Sequence, residues 1–104
     1  MKLLFAPEAL EDLENIYRYY AEHNEQYAVD LHNHIISEAE FLQNFPFTGQ
    51  KEQLLEEYPE DYRSLVVRHC YKIVYFIEND TINIVSVFNC RQDPQRLEKN
   101  IRKI

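Results

Sequence analysis

Two runs of β-forming residues, "CYKIVYFIE" and "TINIVSVFN", are separated only by Asn79-Asp80. Runs rich in Val, Ile, Tyr and Phe joined by two turn-forming residues make a β-hairpin. A third run, "YRSLVVRH", precedes them. The expectation is a three-strand meander of two hairpins. Alternation puts Ile73, Tyr75 and Ile77 on one face of the middle strand and Lys72, Val74 and Phe76 on the other. By the same count Ile82, Ile84, Ser86 and Phe88 share a face of the last strand. Both faces are largely apolar, so both are expected to be covered, one by helices and the other by a partner.

The first half follows a different period. "KLLF", Lys2–Phe5, reads as a short strand. Pro7 suits a first helical position, where its missing N–H leaves nothing unpaired. Glu8, Glu11 and Asp12 favour the positive end of the helix dipole. Leu10, Leu13, Tyr17, Tyr20 and Ala21, with Ile16 beside them, form one stripe at spacings of three and four. "EHNE" breaks the pattern at His23–Asn24. A second helix is expected from about Glu25 to Asn44, with Ala28, Leu31, Ile35, Ala39, Leu42 and Phe45 on its buried side. Pro46 stops it, because the residue before a proline is pushed out of the helical region. The short link makes the helices an antiparallel hairpin. Residues 46–61 show no strand period; "TG" and "YPED" look like turns, and "KEQLLEE" can form one or two helical turns. After Pro94, "QRLEKNIRKI" can form a short amphipathic helix or a tail over 95–104, with Leu97, Ile101 and Ile104 on one side. The expected class is α+β, a two-helix antiparallel hairpin on a small, mostly antiparallel sheet in the order β-α-α-β-β-β, as a single domain over 1–104. A chain of 104 residues buries roughly two-thirds of its unfolded surface, enough for one core.

Composition narrows the chemistry. Gly49 is the only glycine, which excludes a glycine-rich phosphate loop. The N-terminus turns acidic after a short apolar run and no apolar stretch approaches 18 or so residues, so neither a signal peptide nor a membrane span is expected. Cys70 and Cys90 are expected as reduced thiols in a cytoplasmic protein. Residues 1–61 carry three basic residues (Lys2, Arg18, Lys51) against 14 acidic ones, a net of −11, and residues 62–104 carry eight against four, a net of +4. Only the C-terminal half has the charge to touch nucleic acid.

Catalytic patterns are sparse. His32 and His34 are two apart on a helix and diverge, no H-E-x-x-H or C-x-x-C occurs, and no metal or cofactor is expected. Cys90 has Arg91 beside it, and a cation can lower a thiol pKa; His69 adjoins Cys70, but neighbours in a strand point to opposite faces, so the residues give little support to a Cys–His pair. Ser64 and Ser86 lack a nucleophile-elbow context. The basic set Arg63, Arg68, Lys72 and Arg91 remains. Were these to converge on a concave sheet, they would suit a phosphodiester and stabilise the charge developing during its cleavage. The alternative is scattered surface charge or pairing with the acidic helices.

The order and spacing of "APEALEDLENIYRYY", "FLQNFPFTG", "YRSLVV", "YKIVYFIENDTINIVSVF" and "CRQDPQRL" resemble the RelE/ParE superfamily of toxins of type II toxin–antitoxin systems. The resemblance spans the whole chain. It implies two helices on one face of a mostly antiparallel sheet, a cognate antitoxin whose tail wraps the domain, and roles in growth inhibition and plasmid stabilization. It also implies a toxin–antitoxin hetero-oligomer or a homo-oligomer. RelE-like members cleave mRNA on the ribosome, and Arg63, Lys72 and Arg91 match positions where such members carry basic residues, with Arg68 nearby. ParE-like members inhibit DNA gyrase. After Arg91 come Gln92, Asp93 and Pro94, without the terminal Tyr or His that RNA-cleaving members carry. The long second helix and the "FP-x-x-G" junction resemble the ParE branch. The resemblance therefore implies a non-enzymatic gyrase inhibitor, with a ribosome-dependent endoribonuclease, or a non-toxic antitoxin-binding relic, as the alternatives. Leu97, Ile101, Arg96 and Arg102 are the candidate contacts for antitoxin or target.

Overall fold

In the computed structural model, which describes residues 1–89 and Ile101, Asn79 and Asp80 both adopt left-handed backbone, with φ of 52° and 61°. Two such residues between strands match the twist of a hairpin. They join strand β4 (Tyr71–Glu78) to strand β5 (Thr81–Asn89), and β4 also pairs antiparallel with β3 (Arg63–Val67). Strand β1 (Lys2–Phe5) adds to β5 in parallel, with Lys2 opposite Thr81 and Phe5 opposite Ile84. A two-residue strand, β2 (Gln50–Lys51), pairs with β3 and closes a five-stranded sheet in the order β1-β5-β4-β3-β2. Helices α1 (Pro7–Ala21) and α2 (Glu25–Phe41) form an antiparallel hairpin on one face of that sheet. The α+β class and the helix–sheet layering match expectation.

The two helices are built as their sequences require. Pro7 opens α1 at its first position, and Asn24 caps α2 by accepting from the Tyr27 N–H at 3.0 Å. Helix α2 ends earlier than proline position alone suggests. From Leu42 to Asn44 the amide groups bond three residues back, to Ala39, Glu40 and Phe41, so the last turn tightens before Pro46. Leu31, Ile35, Ala39 and Leu42 are fully buried against Leu13, Ile73, Tyr75, Ile82 and Ile84. Four stripe residues fall outside this core, Tyr17 and Ala21 half-buried and two others exposed. Leu10 and Phe45 are 53% and 57% exposed. The face of α1 that packs is Ala9, Leu13, Ile16 and Tyr20, with Ala9 taking the place of Leu10 and Ile16 that of Tyr17.

Three sheet features depart from simple alternation. The run "YRSLVVRH" stops as a strand at Val67; Arg68 and His69 take left-handed backbone, with φ of 52° and 63°, and with Cys70 they form the turn into β4. Ile84 pairs with Tyr75 and Ser86 with Val74, so Val85 is an extra residue in β5. One inserted residue reverses the phase of every residue after it. Val87 consequently returns to the helix face, while Phe88 joins Val85 on the other face, not Ile82 and Ile84. The carboxylate of Asp12, 3% exposed on α1, braces this bulge: it accepts from Ser86 Oγ at 3.2 Å and from the Val87 N–H at 3.1 Å.

The second sheet face is covered by this chain itself. Beyond β2 the segment makes one 3₁₀ turn (Gln53–Leu55) and returns to β3, and the Glu52 N–H bonds the Tyr62 carbonyl at 2.9 Å. Leu55, Tyr62 and Ile101 bury Val74, Val85 and Phe88, with Tyr58 and Phe76 packed alongside. The expectation that a partner covers this face gives way to that finding. Among the described residues, no helix is long and apolar enough to cross a membrane.

Candidate functional site

The basic residues singled out by sequence do not converge. In the β3–β4 register Arg63 lies opposite Tyr75, on the helix side, whereas Lys72 lies opposite Val66, on the other side. Arg63 is drawn into the fold. Its Nη1 donates to the Gly49 carbonyl at 3.0 Å, its Nη2 is 3.3 Å from Asp61 Oδ2, and its guanidinium lies over the Phe47 ring at 5.1 Å from the centroid. Arg68 reaches back to α2. Its Nε donates to His34 Nδ1 at 3.0 Å and its guanidinium stacks 5.5 Å above the Tyr27 ring. This tie holds the strained turn at Arg68–His69 against the helical layer. Lys72 Nζ donates to Glu52 Oε1 at 2.9 Å, and that carboxylate side chain is only 3% exposed. Each of the three cations therefore serves a different structural joint, and Arg63 and Lys72 are separated by the thickness of the sheet.

Arg91, Arg96, Leu97 and Arg102 lie outside the described residues. Ile101, expected as a contact for a partner, is 6% exposed and packs on Leu55, Tyr62 and Phe88. Among the described residues, no group of three His, Cys, Asp or Glu side chains could hold a metal ion.

Two concave surfaces flank the helices. A cleft of about 270 Å³ opens at the end of α1 and is lined by Asn15, Tyr19, Tyr20, Tyr71 and Asn89, with Asp12 at its base. The Tyr20 and Tyr71 hydroxyls share a hydrogen bond of 2.9 Å. Burial, followed by that bond, drives the Tyr71 hydroxyl well above the ordinary tyrosine range. A more open groove runs along the outer seam of the hairpin, between Leu10, Leu13 and Tyr17 on α1 and Val29, His32 and Ile36 on α2.

The feature that pattern reading missed is the corner between α2 and β2. Tyr75 is fully buried in β4, and its hydroxyl leaves the core only to grip this corner. It donates to the Pro46 carbonyl at 2.7 Å and accepts from the Gly49 N–H at 3.0 Å. Burial raises the Tyr75 hydroxyl pKa, outweighing the lowering by the Gly49 N–H and by Arg63. A Cβ at Gly49 would lie 2.6 Å from the Tyr75 hydroxyl oxygen and 2.9 Å from the Ser64 carbonyl. Close approach, not a left-handed backbone, thus explains the glycine of the "FPFTG" junction. Phe41, Phe45 and Phe47 surround the corner, at 41%, 57% and 65% exposure. The available signal was local: Phe45 and Phe47 flank Pro46, beyond the end of α2, where the 3.6-residue period no longer decides which way a side chain points.

With this geometry in view, a family model described as the ParE toxin of type II toxin–antitoxin system, parDE, matches residues 3–94. A solved chain titled "Chromosomal ParDE TA system from P. aeruginosa" is similar in fold, with a TM-score of 0.71 at 21% identity, over 86% of this chain and 95% of that one. No curated protein sequence matches.

Proposed function

Because the chain belongs to the ParE toxin family of type II toxin–antitoxin systems, we propose that it arrests growth by binding and inhibiting a protein target, DNA gyrase, and that a cognate antitoxin neutralises it. One observation carries the choice of inhibitor over nuclease: Arg63, Arg68 and Lys72 are each committed to a separate joint of the fold, on both sides of the sheet. Phosphodiester cleavage needs cations preorganised around one developing charge, and a guanidinium held by a carboxylate and a carbonyl is poorly placed to supply it. The formal net charge of −7 acts in the same direction, since it disfavours approach to polyanionic RNA.

An inhibitor of this kind acts through surface shape and charge, and its partner complex forms or fails as a unit. The test is a supercoiling assay with purified gyrase, relaxed plasmid and ATP, titrated with the purified chain. The reading expects supercoiling to stop as the chain approaches a modest excess over gyrase. Supercoiling at the uninhibited rate under a large molar excess contradicts it.

A further inference from the structure

The corner at Pro46–Gly49 presents rings that the core does not use. Phe41 and Phe45 stack with centroids 4.7 Å apart, and neither they nor Phe47 belong to either buried cluster. Exposed aromatic side chains on a surface segment would ordinarily move freely. Here the backbone is fastened on both sides of Phe47, at Phe45, Pro46, Thr48 and Gly49. Tyr75 holds Pro46 and Gly49, Arg63 holds the Gly49 carbonyl, and the Thr48 N–H and hydroxyl both donate to the Phe45 carbonyl, at 3.2 and 2.8 Å. The Arg63 guanidinium backs one face of the Phe47 ring. A buried tyrosine, the chain's only glycine and a mostly covered arginine therefore hold rigid a segment whose two Phe side chains face outward.

We propose that this corner is a preorganised aromatic anchor by which the chain docks on its protein target, inserting Phe45 and Phe47 into an apolar pocket bordered by carboxylates. The proposal rests on the inhibitor reading and names the surface that reading leaves open. Preorganised aromatic side chains lose little entropy on binding and dominate the energetics of interfaces. Charge selects the partner's rim. Lys51 stands directly opposite Arg63 in the β2–β3 register, so both side chains leave the same face of the sheet. Lys51 is exposed, and no ion pair engages it among the described residues. The rest of residues 1–61 is acidic, with 14 carboxylates against Lys2, Arg18 and Lys51. A partner that meets the corner squarely presents carboxylates to Lys51 and keeps its own acidic groups from the helices. A second copy of this chain fits poorly, because a two-fold contact would press convex ring on ring and cation on cation. Nucleic acid fits poorly too, because among the described residues the cations of this corner are Arg63, already engaged by Asp61, and Lys51, and a single lysine holds few phosphates.

The experiment compares the full chain with a Phe45→Ser/Phe47→Ser variant in the gyrase supercoiling assay, with thermal melting as the check on folding and Phe47→Trp as the conservative control. The variant is expected to melt like the parent and to need at least about tenfold more protein for equal inhibition, while Phe47→Trp retains inhibition. Equal inhibition by parent and double variant overturns the anchor and leaves the inhibitor reading intact. If the parent does not inhibit gyrase, that reading fails, and growth arrest on induction decides the anchor. Arrest abolished in the folded variant then supports docking on another protein, and arrest unchanged, or absent in the parent, overturns it. Binding of a labelled single-stranded RNA oligonucleotide by the parent, lost in the variant, also overturns it, in favour of a base-stacking site.

Discussion

Replacing Gly49 by alanine tests the joint on which the corner depends. The new methyl carbon would lie 2.6 Å from the Tyr75 hydroxyl oxygen, 2.8 Å from Tyr75 Cε1 and 2.9 Å from the Ser64 carbonyl oxygen. None of these can retreat cheaply. Tyr75 is fully buried, and Ser64 is held in register opposite Val74. Overpacking of this kind costs about 1–3 kcal/mol. If the ring shifts to relieve it, the bonds to Pro46 and Gly49 weaken, and each is worth about 1 kcal/mol net. The total comes to about 3 kcal/mol, which for a domain of this size lowers the melting temperature by roughly 12–20 °C. The assay is urea and thermal unfolding followed by circular dichroism, with the urea slope unchanged if only the folded state is affected. Tyr75→Phe removes the nearest clashing atom. In that background the alanine substitution should cost less than in the parent, by about 1 kcal/mol. A melting temperature lowered by less than about 4 °C, or costs that simply add, would refute the close-packed corner.

Other joints give equally direct readouts. Lys72→Met strands the Glu52 carboxylate beneath the sheet, and the expected loss is roughly 2–4 kcal/mol; adding Glu52→Leu should restore much of it, and a double variant no more stable than the single one in urea would contradict the pairing. Burial, reinforced by Glu60, raises the Tyr62 hydroxyl pKa from 10.0 to about 12. The unfolded chain therefore releases this proton before the folded one does. Stability from this group is complete below pH 10 and falls as pH rises toward about 12, so the urea midpoint should drop across that window and drop less in Tyr62→Phe. An identical pH slope in that variant would contradict the assignment.

Much of this architecture is legible before any coordinates. The Asn79-Asp80 hairpin, the helix start at Pro7 and the α2 face from Ala28 to Leu42 follow from short-range chemistry, and short-range chemistry is what a single sequence carries. The losses come where tertiary contacts outrank the local period. Leu10 fits the helical stripe as well as Ala9 does, but the sheet accepts Ala9. Val85 gives no local sign that it is inserted; its bulge depends on Asp12, 74 residues before Ser86. Gly49 could be seen as the only glycine, yet its reason lies in Tyr75, on a strand formed much later in the chain. The basic set was legible as residue types only. Its dispersal over two faces is a matter of strand register, with Arg63 and Lys72 nine positions apart on adjacent strands.

The central claim, a toxin that inhibits by binding and does not cut RNA, is tested most directly by inducing this chain alone in a bacterial host and mapping new mRNA 5′ ends across the transcriptome. The account predicts growth arrest with intact messages and loss of plasmid supercoiling in the same cells. Codon-phased cleavage appearing on induction, and abolished by Arg63→Ala in a chain that still folds, would contradict it.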